Sequence, residues 1–387
     1  MRDFTSKTIR GIKPSGIRKF FDIASRMEDC ISLGVGEPDF DTPWHITEEG
    51  IYALEKGRTF YTSNQGLPAL REEISRYVKR KYDLDCTKDE IIVTVGGSEA
   101  VDIALRCCID AGDEVLIPEP CYVCYEPDVL LAGGKVKKMT LKSENKFKLT
   151  PEELEAAITP ETKILILNYP NNPTGAVMRR EDLEKIADVV IKHDLLVISD
   201  EIYSELTYEG KHCSIGSLEG MRERTVTING FSKAFSMTGW RLGYVLGPKA
   251  IMGEMKKIHQ FVIMCASTPS QYAGIEALRH GDADVEKMRS EYDVRRKYLL
   301  SELDRLGIKC FVPEGAFYIF PCIAGYGMTS EEFATDLLNK ERVVVVPGTA
   351  FGESGEGFVR ISYAYSLDSL KEALRRIEKY LTGLKKA

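Results

Sequence analysis

The chain has 387 residues, with 52 Lys and Arg against 59 Asp and Glu, a formal net charge of −7. Hydrophobic residues make up 43% and charged ones 29%, a globular balance with material for two or three domains, or one large and one small. The net acidity, without a long Lys/Arg run, excludes nucleic-acid or anionic-membrane binding through bulk charge, and no apolar run reaches the ~18 residues of a membrane-spanning helix.

The opening Met1-Arg2-Asp3-Phe4-Thr5-Ser6-Lys7 lacks the apolar stretch of a signal peptide. Ten cysteines are scattered along the chain rather than spaced as a disulfide framework, so they read as reduced thiols and the expected location is the cytoplasm. Only Cys121 and Cys124 have metal or redox spacing. No second pair or nearby histidine completes a zinc site, so no metal is expected and two small semi-buried side chains are.

The first 45 residues, with Pro14, Gly34, Gly36, Pro38 and Pro43, follow neither helical nor strand periodicity and are expected to cross over and join a smaller domain. Beyond them, short β-branched runs alternate with helix-period segments. Strands are predicted at 91–95, 114–118, 135–141, 163–168, 195–200, 225–229 and 241–246. The helical segment 98–109 puts Val101, Ala104, Leu105 and Cys108 on one face, and 181–193 does the same with Leu183, Ile186, Ala187 and Val190. This alternation predicts an α/β domain over residues 46–284, a mostly parallel seven-stranded sheet covered by helices on both faces. A charged helix at 286–306 follows, then short strands at 316–321, 343–346 and 358–364 and a closing helix at 367–381. Residues 285–387, with 1–45, therefore read as a small α+β domain.

In open α/β sheets ligands bind beyond the carboxyl ends of the strands. The predicted strand ends here carry Gly96-Gly97-Ser98-Glu99 opening a helix, Tyr169-Pro170-Asn171-Asn172-Pro173-Thr174-Gly175, Asp200-Glu201-Ile202-Tyr203, and Gly230-Phe231-Ser232-Lys233. A glycine pair at a helix start leaves amides free for a phosphate. A lysine near other cations has a lowered pKa and can form a Schiff base. A buried carboxylate can pair with a protonated pyridine nitrogen and make its ring an electron sink. Arg241, eight residues past Lys233, is available as a bidentate phosphate donor. Dinucleotide binding fits poorly, because Gly34-Val35-Gly36-Glu37-Pro38-Asp39 has no third glycine and opens no helix.

Gly36-Glu37-Pro38-Asp39-Phe40, Asn172-Pro173-Thr174-Gly175, Ser232-Lys233-Ala234-Phe235 with Thr238-Gly239-Trp240-Arg241, and Gly315-Ala316-Phe317-Tyr318 occur in order. They lie between Ser15-Gly16-Ile17-Arg18-Lys19-Phe20 and Val359-Arg360-Ile361-Ser362. On these motifs the chain resembles the class I aminotransferases of fold type I, dependent on pyridoxal 5′-phosphate, which include aspartate, aromatic and N-acetyl-diaminopimelate aminotransferases. The resemblance implies that Lys233 holds the cofactor covalently and shuttles a proton, that Asp200 meets the pyridinium nitrogen, and that Asn172 and Tyr203 donate to the phenolic oxygen. It assigns Tyr122 to stacking on the ring, Gly97, Ser98 and Arg241 to the phosphate, and Tyr61 to the phosphate of a neighbouring subunit in a homodimer with active sites at the interface. Arg360 matches the clamp on the substrate α-carboxylate, assisted by Gly36 and Asn172. The implied substrates are an amino acid and a 2-oxo acid, with 2-oxoglutarate as acceptor and an aspartate, aromatic or N-acetyl-diaminopimelate-like donor.

Two departures stand out. Gly230 occupies a position where many relatives carry a hydroxyl, which implies one phosphate hydrogen bond fewer. The segment 258–269 holds no arginine where some aspartate aminotransferases read a distal carboxylate, so an apolar pocket for aromatic, neutral or acylated substrates is expected.

Blander roles compete for the same residues. Lys233 alone could be a solvated lysine, Tyr122 a core residue, Asp200 a helix N-cap, and Arg360 the partner of a surface carboxylate. The rival reaction on this scaffold is a C–S β-lyase. A ligand-sensing transcription regulator is the non-enzyme rival, but the motifs begin within the first 40 residues and leave no room for a DNA-binding region.

Overall fold

The structure is a computed structural model that describes residues 3–14, 16 and 27–384. The 15–20 motif, apart from Gly16, lies outside the described residues. Helix α1 (Lys7–Gly11) precedes strand β1 (Ile31–Ser32), and helices α2 (Trp44–Glu55) and α3 (Pro68–Tyr82) lead into the main sheet. Pro68 stands in the first turn of α3, where a missing N–H costs no intrahelical bond.

The sheet is built from β2 (Ile91–Thr94), then α4 (Gly96–Cys108), β3 (Glu114–Glu119), α5 (Tyr125–Leu131), β4 (Lys135–Thr140), α6 (Pro151–Ala157), β5 (Thr162–Asn168), α7 (Arg180–Lys192), β6 (Leu196–Asp200), β7 (Thr225–Gly230) and β8 (Gly243–Leu246). Its spatial order is β2-β8-β7-β6-β5-β3-β4. Only β8 runs against its neighbours; the remaining pairs are parallel. The expected seven strands are all present, and the fold is the α/β architecture of fold type I. Burial runs continuously along β5, as a sheet covered on both faces requires. Ile164 and Ile166 pack with residues of α4 and α5 on one face. Leu165 and Leu167 pack with Leu183, Ile186 and Val190 of α7 on the other.

Helices α8 (Lys249–Val262), α9 (Thr268–His280) and α10 (Asp282–Arg305) follow, then β9 (Tyr318–Ile319), α11 (Ser330–Glu341), β10 (Val343–Val344), β11 (Val346–Pro347), β12 (Val359–Ser362) and α12 (Leu367–Leu384). Helix α11 opens with a reciprocal cap between Thr329 and Glu332, and α12 buries Leu370, Ala373, Leu374, Ile377 and Leu381 along one stripe. β1 pairs in parallel with β10, so the segment after residue 30 joins the C-terminal core, where Leu33 packs with Val343, Ile361 and Leu374. Among the described residues no helix is long and apolar enough to cross a membrane.

Most strand boundaries shift by one or two residues from expectation, and three of the differences have a local cause. The run 343–346 splits, because Val343–Val344 bonds to β1 while Val346–Pro347 turns to β12. The run 316–321 shrinks to two residues, since Ala316 has φ 56° and leaves the extended region. β8 begins at Gly243 rather than 241, because Arg241 has φ 50° in the preceding turn.

Candidate active site

The ends of β2, β5, β6 and β7 open on one cavity of about 590 Å³. Gly97 and Ser98 line it from the first turn of α4, with Tyr122 from the loop after β3 and Asn172 from the loop after β5. Asp200 and Tyr203 reach it from the end of β6, and Lys233 and Arg241 from the segment linking β7 to β8. Gly36 and Arg360 complete it from the N-terminal segment and β12. Ten of the eleven expected site residues therefore meet in one place. Tyr61, expected to serve a neighbouring subunit, is not on this lining and is 82% exposed.

Asp200 is the last residue of β6 and is buried. Tyr125 donates its hydroxyl to Oδ2 at 2.7 Å, and the Ile202 amide donates to Oδ1 at 3.1 Å. Burial nevertheless pushes this carboxyl up to about 6, with both donors pulling the other way. A turn rather than a helix follows, so Asp200 is no helix cap.

Lys233 sits partly buried over the faces of Tyr203 and Phe317, and Nζ donates to the Gly36 carbonyl at 2.6 Å. Burial brings its pKa down to about 8; Arg360 and Arg241 add to the lowering, while Glu37 and Asp200 oppose it. Gly36 has no room for a side chain, since a Cβ there would overlap the Tyr318 hydroxyl. That hydroxyl in turn meets the Tyr203 hydroxyl at 2.7 Å.

Arg360 is 2% exposed, which excludes a surface ion pair. One terminal nitrogen donates to Asn172 Oδ1 at 2.8 Å and the other to the Gly34 carbonyl. The guanidinium lies over the rings of Tyr318 and Phe351, 4.3 and 4.7 Å from their centroids. Its Nε is buried without a partner, and among the described residues no carboxylate pairs with it. A fully buried cation held only by neutral acceptors is suited to an anionic ligand.

At the start of α4, Gly96 has φ +77°, and Arg241 Nη2 lies 2.7 Å from where its Cβ would be. Glycine there lets the guanidinium close over the start of α4. Tyr122 bonds the Ser98 side chain and meets Tyr125 edge-on, and burial pushes its phenol up to about 12. A Cβ at Gly230 would come within 3.0 Å of Gly243 Cα, so β7 and β8 approach too closely there for a larger residue. Ser232 brings a hydroxyl to the lining two residues later.

Sequence reading missed Tyr125, Tyr318 and Asn168, whose Nδ2 donates to the Asp200 carbonyl at 3.2 Å. The available signals were the three-residue step from Tyr122 to Tyr125 and the last position of Gly315-Ala316-Phe317-Tyr318. No residue of 258–269 lines the cavity. Phe261, Val262 and Met264 of that segment are exposed.

The family model of aminotransferase class I and II matches residues 28–377. An aspartate aminotransferase of Pyrococcus abyssi is 50% identical over 96% of both chains. Aromatic-amino-acid aminotransferase 2 of Thermococcus litoralis is 47% identical over 97% of this chain and 98% of its own. The crystal structure of an aromatic aminotransferase from Pyrococcus horikoshii superposes with a TM-score of 0.91 at 46% identity, covering 96% of this chain and all of that one. With a cavity that joins an amine, a buried carboxyl and a buried guanidinium, and with relatives that match it from end to end, the chain belongs to the class I and II aminotransferases and catalyses transamination.

Proposed function

We propose that this cavity transfers an amino group from an amino acid to a 2-oxo acid in two half-reactions, using pyridoxal 5′-phosphate held by the strand-end residues. The observation that carries the proposal is the convergence of Lys233, Asp200 and the first turn of α4 on one cavity. When bound, the cofactor supplies a carbonyl that condenses with amines and a ring that delocalises the electron pair left by Cα–H cleavage.

The residues fit that group. Gly97 and Ser98, under Arg241, offer amides, a hydroxyl and a guanidinium to a phosphate. Asp200, held in place by Tyr125, would pair with the pyridinium nitrogen, whose charge favours the ionised carboxylate. Tyr203 and Asn172, on the same lining, would donate to the phenolic oxygen, and Tyr122 would stack on the ring. Arg360, with Asn172 Oδ1 and the Gly34 carbonyl fixing its plane, takes the substrate α-carboxylate. That grip would fix the orientation of the Cα–H bond, and Lys233 would act as the base that takes this proton and gives it back later in the transfer. With its pKa near 8, about a tenth of Lys233 is unprotonated at neutral pH when not engaged with the cofactor.

The cations on the cavity lining, among the described residues, are Lys233, Arg241 and Arg360, and each has a task in this scheme. This supports an aromatic donor over aspartate or an N-acetyl-diaminopimelate-like amino acid, both of which carry a distal carboxylate, with 2-oxoglutarate as an acceptor whose distal carboxylate neutral donors of the lining would have to read. A homodimer is proposed on the exposed apolar residues Trp44, Phe60, Tyr61, Phe261 and Val262. The segments carrying them are tied together by Thr268 Oγ1 to the Phe60 carbonyl and Asn64 Nδ2 to the Met264 carbonyl. A second copy covering this surface would bring Tyr61 to the neighbouring site. The mutual packing of residues 31–33 with 288–381 supports a small domain of 1–45 and 285–387 beside a large one of 46–284. Ten free cysteines fit a reducing cytoplasm.

The test is the visible spectrum of the cofactor-loaded protein with single amino acids and no oxo acid. An aromatic donor should bleach the band of the lysine-bound cofactor and release one equivalent of its oxo acid. Bleaching by aspartate in preference would overturn the donor assignment, and release of ammonia and pyruvate from cysteine with the band intact would favour the lyase.

A further inference from the structure

His259 is a buried titratable residue that the scheme above leaves unused. It lies in the last turn of α8, has no exposed surface, and its Nδ1 is 2.5 Å from Glu99 Oε1. A carboxylate can only accept, so Nδ1 is the donor. Nε2 is buried and has no partner, so the imidazole makes one side-chain bond and spends it on Glu99. The other oxygen of Glu99, Oε2, accepts from the Val95 amide at 2.5 Å.

Glu99 is the acidic residue in the first turn of α4, and the side chain of Val95, the N-cap residue, makes no capping bond of its own. The free amides of a helix start attract whichever negative charge is nearest. An unrestrained carboxylate one residue past Ser98 would compete with a phosphate for the amides of Gly97 and Ser98. Here it is folded back onto Val95, behind the turn that Gly96 makes at φ +77°, and away from the cavity lining.

We infer that His259 is a positioning residue for the cofactor phosphate: it holds Glu99 on the Val95 amide and so keeps a native carboxylate out of the anion seat at the start of α4. The inference rests on the cofactor assignment above and extends it to a residue that touches neither cofactor nor substrate. It also gives α8 a second task, since the His259 carbonyl accepts from the amides of Ile263 and Met264, both at 2.9 Å, where the helix ends.

The experiment titrates cofactor-free, full-length protein with pyridoxal phosphate and, separately, with pyridoxal, which lacks the phosphate. The ratio of the two dissociation constants isolates the phosphate contribution. His259→Leu should reduce that ratio about 5- to 30-fold, the range for a charge at a partly buried helix start, and leave pyridoxal affinity unchanged. His259→Asn, whose amide nitrogen can occupy the place of Nδ1, should stay within about threefold of the parent, as should His259→Leu with Glu99→Gln, in which the competing charge is gone. Should the leucine variant fail to fold, His259→Gln, which moves the donor away from Glu99, is expected to behave as it would. An unchanged ratio in a folded variant, or equal losses for both ligands, overturns the inference. A parent protein that binds pyridoxal phosphate no better than pyridoxal overturns the phosphate site itself.

Discussion

Replacing Asp200 with asparagine should stabilise the cofactor-free protein while abolishing its chemistry, because the carboxyl is held against its own solvation. Burial moves its pKa from the ordinary aspartate value near 3.8 up to about 6, which corresponds to about 3 kcal/mol. The folded state binds the proton more tightly than the unfolded chain, so this group lowers stability as pH rises from about 4 to about 6, and the cost is constant above that. Asparagine removes the ionisation but has one acceptor oxygen for two donors, the Tyr125 hydroxyl and the Ile202 amide, which returns about 1 kcal/mol. Asp200→Asn should thus be about 2 kcal/mol more stable than the parent at pH 8, with the advantage shrinking by about 1 kcal/mol at pH 5. Denaturant unfolding of both cofactor-free proteins at one fixed concentration measures this, since the stability of the proposed dimer would depend on concentration. Cofactor affinity and turnover should fall together in the same variant. A stability difference that is flat across this pH range, or larger at pH 5 than at pH 8, would refute the reasoning.

Arg360→Lys keeps the charge but loses the planar fork that Asn172 and the Gly34 carbonyl orient; kcat/KM for donor and acceptor alike should fall by about 100- to 1,000-fold, with cofactor affinity nearly unchanged. Equal losses in cofactor binding would mean that Arg360 holds the site together rather than the substrate. Lys233→Ala should abolish turnover, and Tyr61→Ala should weaken phosphate retention. If Tyr61 serves the neighbouring site, mixing the two variants and letting the dimers exchange should raise activity above that of the unmixed proteins by up to roughly a quarter of the parental value, because half the dimers are hybrids with one intact site each. No recovery despite demonstrated exchange would place Tyr61 outside the active site.

The main sheet and its loops were legible because a parallel sheet leaves local marks. Continuous β-branched runs such as 163–168 stand between helical stripes such as Leu183, Ile186 and Val190, and the chemistry collects at the strand ends. Lys233, Asp200 and Asn172 could be named because each follows a strand within a few residues. Arg360, Gly36 and Tyr122 needed a resemblance to known enzymes, since nothing local marks a residue that comes from another part of the fold.

Other features exist only once distant segments meet. Tyr125, the first residue of α5, becomes a partner of Asp200 at the end of β6 across 75 positions of sequence. His259 reaches Glu99 across 160 positions, and Arg360 reaches Gly34 across 326. The pKa values near 6 and 8 at Asp200 and Lys233 arise from burial. Composition and periodicity determined the α/β architecture and the strand ends where ligands bind. Side-chain pairing across the cavity, and the exclusion of water that shifts those pKa values, were decided by the tertiary structure, because both depend on distances between groups that the chain order leaves far apart.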